Sequence, residues 1–139
     1  LFASTIEADD IDAIYAVEKN PERFDYLRKN FSPSDSVFVV GVDFLTFTPV
    51  PMFDFCFANP PFEEGQDIEH VQHAYTLLKP GGVLVSVMSE GAFFRTDKKA
   101  LNFRVWLERA GGESFKLAPD SFKESGTGVQ ARLVKIVRG

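Results

Sequence analysis

Short apolar runs alternate with amphipathic helical segments along this chain, and no other feature of the sequence restricts the fold so strongly. The runs at residues 14–17, 37–42, 53–58 and 83–88 are mostly apolar and end at polar or turn-forming residues. Such runs predict buried strands, and helices between strands favour parallel pairing through crossover connections. We therefore predict an α/β fold built on a doubly wound, mostly parallel sheet.

Capping and turn residues indicate where the helices between these strands begin and end. Asn20 is the predicted N-cap of a helix over residues 21–30, with Pro21 at its first position. A second helix is predicted from its N-cap Asp67 to residue 78, and a third from Thr96 or Asp97 to residue 110. Lys79-Pro80-Gly81-Gly82 is predicted to act as a stop signal between the second helix and the next strand.

The two ends of the chain complete this pattern. Strands are predicted near residues 114–117 and 129–137, joined by a polar loop that contains Gly126-Thr127-Gly128. Residues 1–8 are typical of the final turns of a helix that starts earlier, and position 1 is not Met. A length of 139 residues suits one domain, predicted to span residues 1–139. We expect this domain to be an N-terminally incomplete fragment of a longer chain.

Composition narrows the functional classes. Hydrophobic residues make up 45% of the chain, which is enough for a buried core. The net charge of −5 argues against binding nucleic acid by broad electrostatic attraction, so such a partner needs a local basic patch or a further recognition domain or subunit. The single cysteine, Cys56, excludes an internal disulfide and fits a cytoplasmic protein. No apolar run approaches the ~18 residues of a membrane helix, so no membrane association is expected.

The sequence Asn59-Pro60-Pro61-Phe62 directly after a predicted strand is the strongest chemical signal. Two consecutive prolines remove two backbone donors and fix the turn, so its carbonyls face outward. A carbonyl and the Asn59 side-chain oxygen then form two convergent acceptors, which suit the two protons of a planar amino group. The alternative is an ordinary Pro-Pro loop in which Asn59 caps a turn.

This segment resembles the catalytic motif of Rossmann-like S-adenosylmethionine-dependent amino-methyltransferases. The resemblance implies that Asn59 and the Pro60 carbonyl bind the target amino group, that Pro61 completes the turn, and that Phe62 stacks on an extruded base. The motif is commonest in adenine-N6 DNA methyltransferases, and RNA guanine-N2 and protein glutamine methyltransferases share it. It also implies S-adenosylmethionine as cofactor, DNA rather than RNA as partner, and an antiparallel orientation of the C-terminal strand.

Two further strand ends match positions of this family. Glu18 matches the acid that binds both ribose hydroxyls of the cofactor, and Asp43-Phe44 matches the acid and aromatic that contact its adenine; Asn59 also borders the cofactor. Taken alone, Glu18 is better explained as a solvated acid near a helix start. Asp43 taken alone fits an Asx turn next to a core phenylalanine.

Other residues give weaker signals. His70 and His73 are three residues apart on a predicted helix, but no further ligand stands near them, and no metal is expected. Cys56 lies within an apolar strand and is predicted to be a buried, inert thiol. A small basic cluster after Phe93-Phe94 is either a solvated helix face or a contact for a substrate backbone; it comprises Arg95, Lys98, Lys99 and Arg104.

One expected part of the family is missing from the sequence. The family has a first strand and a glycine-rich loop, and neither precedes residue 1. That strand would lie between the strand that ends at Glu18 and the strand that ends at Asn59. We expect a preceding segment, another chain or self-association to complete the sheet. The alternative to an enzyme is a methyltransferase-like module that serves only in binding or assembly.

Overall fold

The computed structural model describes residues 11–117 and 130–139. In order along the chain, its regular elements are β1 (Ile14–Val17), α1 (Pro21–Asn30), β2 (Val37–Val40), β3 (Phe53–Ala58), α2 (Gln66–Thr76), β4 (Leu78–Ser89), α3 (Gly91–Phe94), α4 (Lys98–Arg109), β5 (Glu113–Lys116) and β6 (Ala131–Val137). The chain divides into two compact units, one up to Phe47 and one from Thr48 onward. Each unit is described by itself.

The first unit contains a two-stranded parallel sheet and α1. β1 pairs with β2 in a register that sets Ile14 opposite Val37 and Val17 opposite Val40. The Asn20 side chain accepts hydrogen bonds from the backbone N–H groups of Glu22 (3.0 Å) and Arg23 (3.1 Å). The predicted strand at 14–17 and the predicted helix with its Asn20 cap are therefore confirmed.

The second strand is shorter than the sequence suggested. β2 ends at Val40, whereas the apolar run predicted a strand to residue 42. A Cβ atom on Gly41 would lie 2.8 Å from a ring carbon of Phe24 on α1. The prediction is wrong at this end because the chain leaves the ladder where it passes against that ring.

The second unit contains a four-stranded sheet in the order β3-β4-β6-β5. β3 and β4 are parallel, and β6 runs antiparallel to both β4 and β5. The core consists of apolar side chains from the two central strands and from two helices; the largest fully buried ones are Ile68, Val71, Leu78, Leu84, Met88, Phe103, Val134 and Ile136. The predicted α/β class with an antiparallel C-terminal strand is confirmed.

The glycine turn before the fourth strand is part of that strand. β4 already begins at Leu78, and the N–H of Gly81 donates to the Arg138 carbonyl (2.6 Å) while the Arg138 N–H donates to the Gly82 carbonyl (2.9 Å). A Cβ on Gly82 would lie 3.0 Å from the Phe53 carbonyl oxygen, so only glycine permits this approach. The helix does stop before this segment, at Thr76, but the prediction that residues 79–82 precede the strand is wrong, because pairing with Arg138 makes them part of β4.

The remaining boundaries follow the predictions within a few residues. Asp97 is the N-cap of α4 and accepts from the Ala100 N–H (3.2 Å). The predicted helix at 1–8, the Gly126-Thr127-Gly128 loop and the predicted strand start at Val129 lie outside the described residues. Within residues 11–117 and 130–139, no helix is long and apolar enough to cross a membrane.

Arg138 connects the end of β6 to the end of α2. Its Nη1 atom donates to the carbonyls of Thr76 (3.1 Å) and Leu78 (2.6 Å), and its guanidinium lies 5.5 Å from the centre of the Tyr75 ring. Carbonyls at the end of a helix lack partners within the helix and carry partial negative charge. Arg138 therefore satisfies the end of α2 and couples that helix to the sheet.

We expect Arg138→Met to lower the free energy of unfolding by about 1–3 kcal/mol, because hydrogen bonds from a charged donor are lost and carbonyls lose their partner. Arg109→Met is the matched control, since Arg109 is an exposed arginine in the last turn of α4. It should change the free energy by less than about 0.5 kcal/mol. Denaturant unfolding measures both, and equal losses would contradict this assignment.

Candidate active site

Asn59 emerges at the carboxyl edge of the four-stranded sheet. It follows β3 directly, and the register sets the last residue of that strand, Ala58, opposite Ser86 of the parallel β4. Asn59 is exposed, Pro60 is buried, and Phe62 is half-buried. Within the described part of the chain, no hydrogen bond engages the Asn59 side-chain amide, and no backbone N–H donates to the Pro60 carbonyl. Both acceptors that the sequence predicted are therefore unused.

The turn after this motif is held in an uncommon conformation. Glu64 has φ 56° and ψ 24°, and Gly65 has φ 72°, so two successive residues are left-handed. Left-handed backbone costs a residue with a side chain about 1–2 kcal/mol. Lys99 of α4 offsets this cost, because its Nζ donates to the Glu64 carbonyl (3.2 Å) and forms an ion pair with Glu69 of α2.

Asp67 does not cap α2 as predicted. The helix begins at Gln66 after Gly65, and Asp67 lies within its first turn with 0% exposure. Its Oδ1 accepts from the Ile68 N–H (3.1 Å), while its Oδ2 accepts from both the N–H and the hydroxyl of Ser89 (2.9 Å each). The capping prediction is wrong because this carboxylate joins the helix to the carboxyl end of β4.

A second buried acid follows β4. Glu90 forms an ion pair with Arg132 at the start of β6 (2.7 Å), and the two side chains are 10% and 19% exposed. The Arg132 guanidinium lies 4.6 Å from the centre of the Phe93 ring and donates to the Ser114 hydroxyl (3.3 Å). This pair fixes α3 and β5 next to the same edge of the sheet as Asn59.

Glu18 lies at the carboxyl end of β1 in the first unit. Its Oε1 accepts from the Asn20 N–H (3.0 Å) and pairs with the Arg23 guanidinium (3.1 Å), and the side chain is 24% exposed. These contacts fit an acid near a helix start. Its Oε2 has no hydrogen-bond partner among residues 11–117 and 130–139, so it can still accept from a ligand.

Asp43 and Phe44 follow β2 at the same edge as Glu18, because β1 and β2 are parallel. The Asp43 Oδ1 accepts from the Leu45 N–H (2.9 Å), which forms the Asx turn given as the alternative. The other carboxylate oxygen has no partner in the described residues, and Phe44 is half-buried. The structure thus brings Glu18 and Asp43 to one edge, and each carboxylate keeps one oxygen unused.

Three members of the small basic cluster make contacts within the protein. Arg95 pairs with Asp97 (3.1 Å), Lys99 with Glu69, and Arg104 donates to the Ala92 carbonyl (3.0 Å). These contacts favour the predicted helix-face interpretation over a contact with a substrate backbone. In the described ranges, no group of three or more His, Cys, Asp or Glu side chains could hold a metal ion.

Sequence reasoning missed the two polar residues at the carboxyl end of β4. The rule that selected Glu18, Asp43 and Asn59 was that polar residues at strand ends face a ligand site. Applied to β4, the same rule would have selected Ser89 and Glu90. The sequence could therefore have indicated Ser89 and Glu90 as candidates. It could not have indicated that they bind Asp67 and Arg132, which are distant along the chain.

Comparison with known proteins bears on the fold. No protein-family model matches the sequence, and no curated protein matches it. The chain is similar to a predicted O-methyltransferase from Agrobacterium tumefaciens, with a TM-score of 0.64 and 16% identity, covering 94% of this chain and 64% of that one. It is also similar to TYW2 from M. jannaschii in complex with AdoMet, with a TM-score of 0.58 and 19% identity, covering 91% and 57%.

A third similar structure is the N-methyltransferase NodS from Bradyrhizobium japonicum WM9, solved in complex with S-adenosyl-l-homocysteine. Its TM-score is 0.60 and its identity 16%, covering 91% of this chain and 66% of that one. The chain thus spans less than two thirds of each of the three proteins. These similarities establish the predicted Rossmann-like methyltransferase fold.

Cys56 lies within β3, three residues before Asn59. Burial raises the pKa of its thiol from 9.0 to about 11. The folded protein therefore keeps the thiol protonated at neutral pH, which fits the predicted inert cysteine and not a nucleophile.

The raised pKa of Cys56 predicts a pH dependence of stability. Between pH 9.0 and about 11 the unfolded chain loses the thiol proton while the folded chain keeps it, so the free energy of unfolding falls as pH rises through this interval. We expect Cys56→Ala to have a shallower fall than the unaltered protein over the same interval, measured by denaturant unfolding at several pH values. Parallel curves would contradict the assignment.

Proposed function

We propose that this protein is a methyltransferase that uses S-adenosylmethionine to methylate an exocyclic amino nitrogen, with adenine N6 in DNA as its substrate. One observation carries the proposal: an exposed Asn59 amide and the Pro60 carbonyl, both without hydrogen-bond partners in the described residues, directly follow a parallel strand at its carboxyl edge. Ligands of open α/β sheets bind at that edge. Similarity to an N-methyltransferase and an O-methyltransferase supports the reaction class without selecting the acceptor atom.

The arrangement can activate a weakly nucleophilic amine. The Asn59 oxygen and the Pro60 carbonyl oxygen would each accept a hydrogen bond from one N–H of the amino group, which reduces the conjugation of the nitrogen lone pair with the aromatic ring and makes it available for attack. S-adenosylmethionine supplies an electrophilic methyl group on its sulfonium sulfur. When bound, this cofactor would give up its methyl group and keep the electron pair of the broken C–S bond on sulfur, and the amine held by Asn59 and Pro60 would lose its proton to water. Positioning therefore performs most of the catalysis, and no strong base is required.

The cofactor contacts are proposed for the first unit. Glu18 would accept from the ribose hydroxyls through its unused Oε2, while its Oε1 keeps the carboxylate oriented toward the start of α1. Asp43 would accept from the adenine amino group through its unused oxygen, with Phe44 next to the ring. In both cases the local turn fixes one carboxylate oxygen and leaves the other for a ligand.

The motif suggests the substrate class, and the charge of the chain bears on where the phosphates of that substrate would bind. Phe62 is half-buried after the acceptors and would stack on the base that carries the amino group, which a duplex must extrude. The net charge is −5 and three members of the basic cluster are engaged within the protein. We therefore propose that phosphate contacts come from a further domain or subunit, since nucleic-acid affinity requires them.

We expect Asn59→Ala to lower the single-turnover rate of methyl transfer by about 100-fold or more, because one of two acceptors for the amino group is lost. Cofactor affinity should change by less than about three-fold, since Asn59 acts chiefly on the acceptor amine. Asn102→Ala, at an exposed asparagine on α4, is the matched control and should keep the full rate. An unchanged rate in Asn59→Ala would remove this residue from catalysis.

We expect Glu18→Ala to weaken cofactor binding by about 10- to 100-fold, because hydrogen bonds to a carboxylate contribute about 1.5–3 kcal/mol. Glu22→Ala is the control, since it removes an exposed acid from the first turn of α1 and should leave affinity unchanged. Titration calorimetry on the full-length protein measures both. Absence of cofactor binding in the unaltered protein would instead favour a non-catalytic binding or assembly module.

A further inference from the structure

The Asn59-Pro60-Pro61-Phe62 motif lies in a loop that is fixed at both ends. Its first end is β3, which is paired with β4. Its second end is the start of α2, where the buried Asp67 accepts from the Ser89 N–H and hydroxyl at the end of the same strand β4. Both ends of the loop are thus attached to β4, the first through the pairing of β3 with β4 and the second through the Asp67 carboxylate.

The contacts of Asp67 distinguish it from an ordinary acid at a helix start. An N-cap or first-turn acid is usually solvated and accepts from N–H groups of its own helix. Asp67 is fully buried, and only one of its oxygens serves its own helix, through Ile68. The other oxygen accepts two hydrogen bonds from Ser89, which is 22 residues away in sequence. The buried Asp67 carboxylate therefore binds chiefly the end of β4 and not its own helix.

The loop needs such an anchor because its conformation is unfavourable by itself. Glu64 and Gly65 are left-handed, and Gly65 donates to the Phe62 carbonyl over a long 3.3 Å. Left-handed non-glycine backbone persists only where surrounding contacts hold it. Lys99 holds the turn from α4 through the Glu64 carbonyl, and Asp67 joins the start of α2, directly after the turn, to Ser89 of β4.

We infer that Asp67 is a positioning residue of the proposed transfer reaction: by binding Ser89 it sets where Asn59 and Phe62 stand relative to the end of β4. This inference rests on the proposed function, because it assigns to Asp67 the geometry on which the amine acceptors depend. Displacing a reacting group by about 1 Å can lower a rate about 100-fold. Asp67 itself touches neither the amine nor the cofactor in this assignment.

Asp67→Asn is the direct test. An amide has one acceptor oxygen and one donor nitrogen, so its NH2 group must face either the Ile68 N–H or the Ser89 N–H, donor against donor. Ser89→Ala is a milder second variant that removes the hydroxyl bond and keeps the backbone bond. Val71→Ala is the matched control, since it removes buried volume from the same helix and takes no part in the hydrogen bonds to Ser89 or to the Glu64 carbonyl.

Two measurements on the full-length protein separate positioning from stability. In hydrogen exchange of the peptide over residues 62–66, Asp67→Asn should exchange about ten-fold faster, Ser89→Ala should change less, and Val71→Ala should match the unaltered protein. In steady-state kinetics, Asp67→Asn should lower kcat about 10- to 100-fold with cofactor Kd unchanged. Val71→Ala should lower the melting temperature but keep kcat within about two-fold.

The outcomes decide between the inference and its alternatives. Unchanged exchange over 62–66 in both Asp67→Asn and Ser89→Ala would overturn the inference, as would an equal loss of kcat in Val71→Ala. Faster exchange with an unchanged kcat would also overturn it, since the loop would then be anchored without consequence for transfer. If the unaltered protein transfers no methyl group, the proposed function fails, and this failure is visible before any variant is compared.

Discussion

The structure of the second unit depends on the burial of β4 between β3 and β6. Residues 84–90 are buried in succession, and the strand pairs on both sides, in parallel with β3 and antiparallel with β6. A strand covered on both faces must be apolar along its length and can end only where polar groups find partners. Ser89 and Glu90 meet this demand at its carboxyl end, through Asp67 and Arg132 respectively.

The burial of β4 also determines where the candidate catalytic residue Asn59 lies. Because β3 is parallel to β4, its own carboxyl end opens at the same edge, and the next residue along the chain is Asn59. The cost of the left-handed Glu64, about 1–2 kcal/mol, is smaller than the hydrogen bonds to charged groups that hold the loop, each about 1.5–3 kcal/mol. Two such contacts act on the loop, from Lys99 to the Glu64 carbonyl and from Asp67 at the start of α2 to Ser89. Asn59, which is exposed, lies at the start of this loop, directly after β3.

Local signals in the sequence predicted local structure well. Asn20 with Pro21, and Asp97, specified helix starts through their own backbone bonds, and the run over 53–58 specified β3 because its turn residues follow immediately. The failures occurred where distant residues decide. Lys79-Pro80-Gly81-Gly82 has the local signals of a turn between a helix and a strand, yet its backbone pairs with Arg138 and belongs to β4. Asp67 has the local signals of an N-cap, yet its carboxylate accepts a hydrogen bond from the distant Ser89. Neither of these distant partners, Arg138 or Ser89, can be predicted from the spacing of residues along the sequence.

The central claim is the atom that receives the methyl group, and product analysis tests it most directly. The full-length protein is incubated with S-adenosylmethionine that carries a deuterated methyl group and with adenine-containing duplex DNA, structured RNA or protein in separate reactions. Mass spectrometry of the digested products then locates the label. The account predicts deuterated methyl on the exocyclic nitrogen of adenine in DNA, absent when Asn59 is replaced by alanine. Label on an oxygen or a ring atom, or label that persists in that variant, would contradict it.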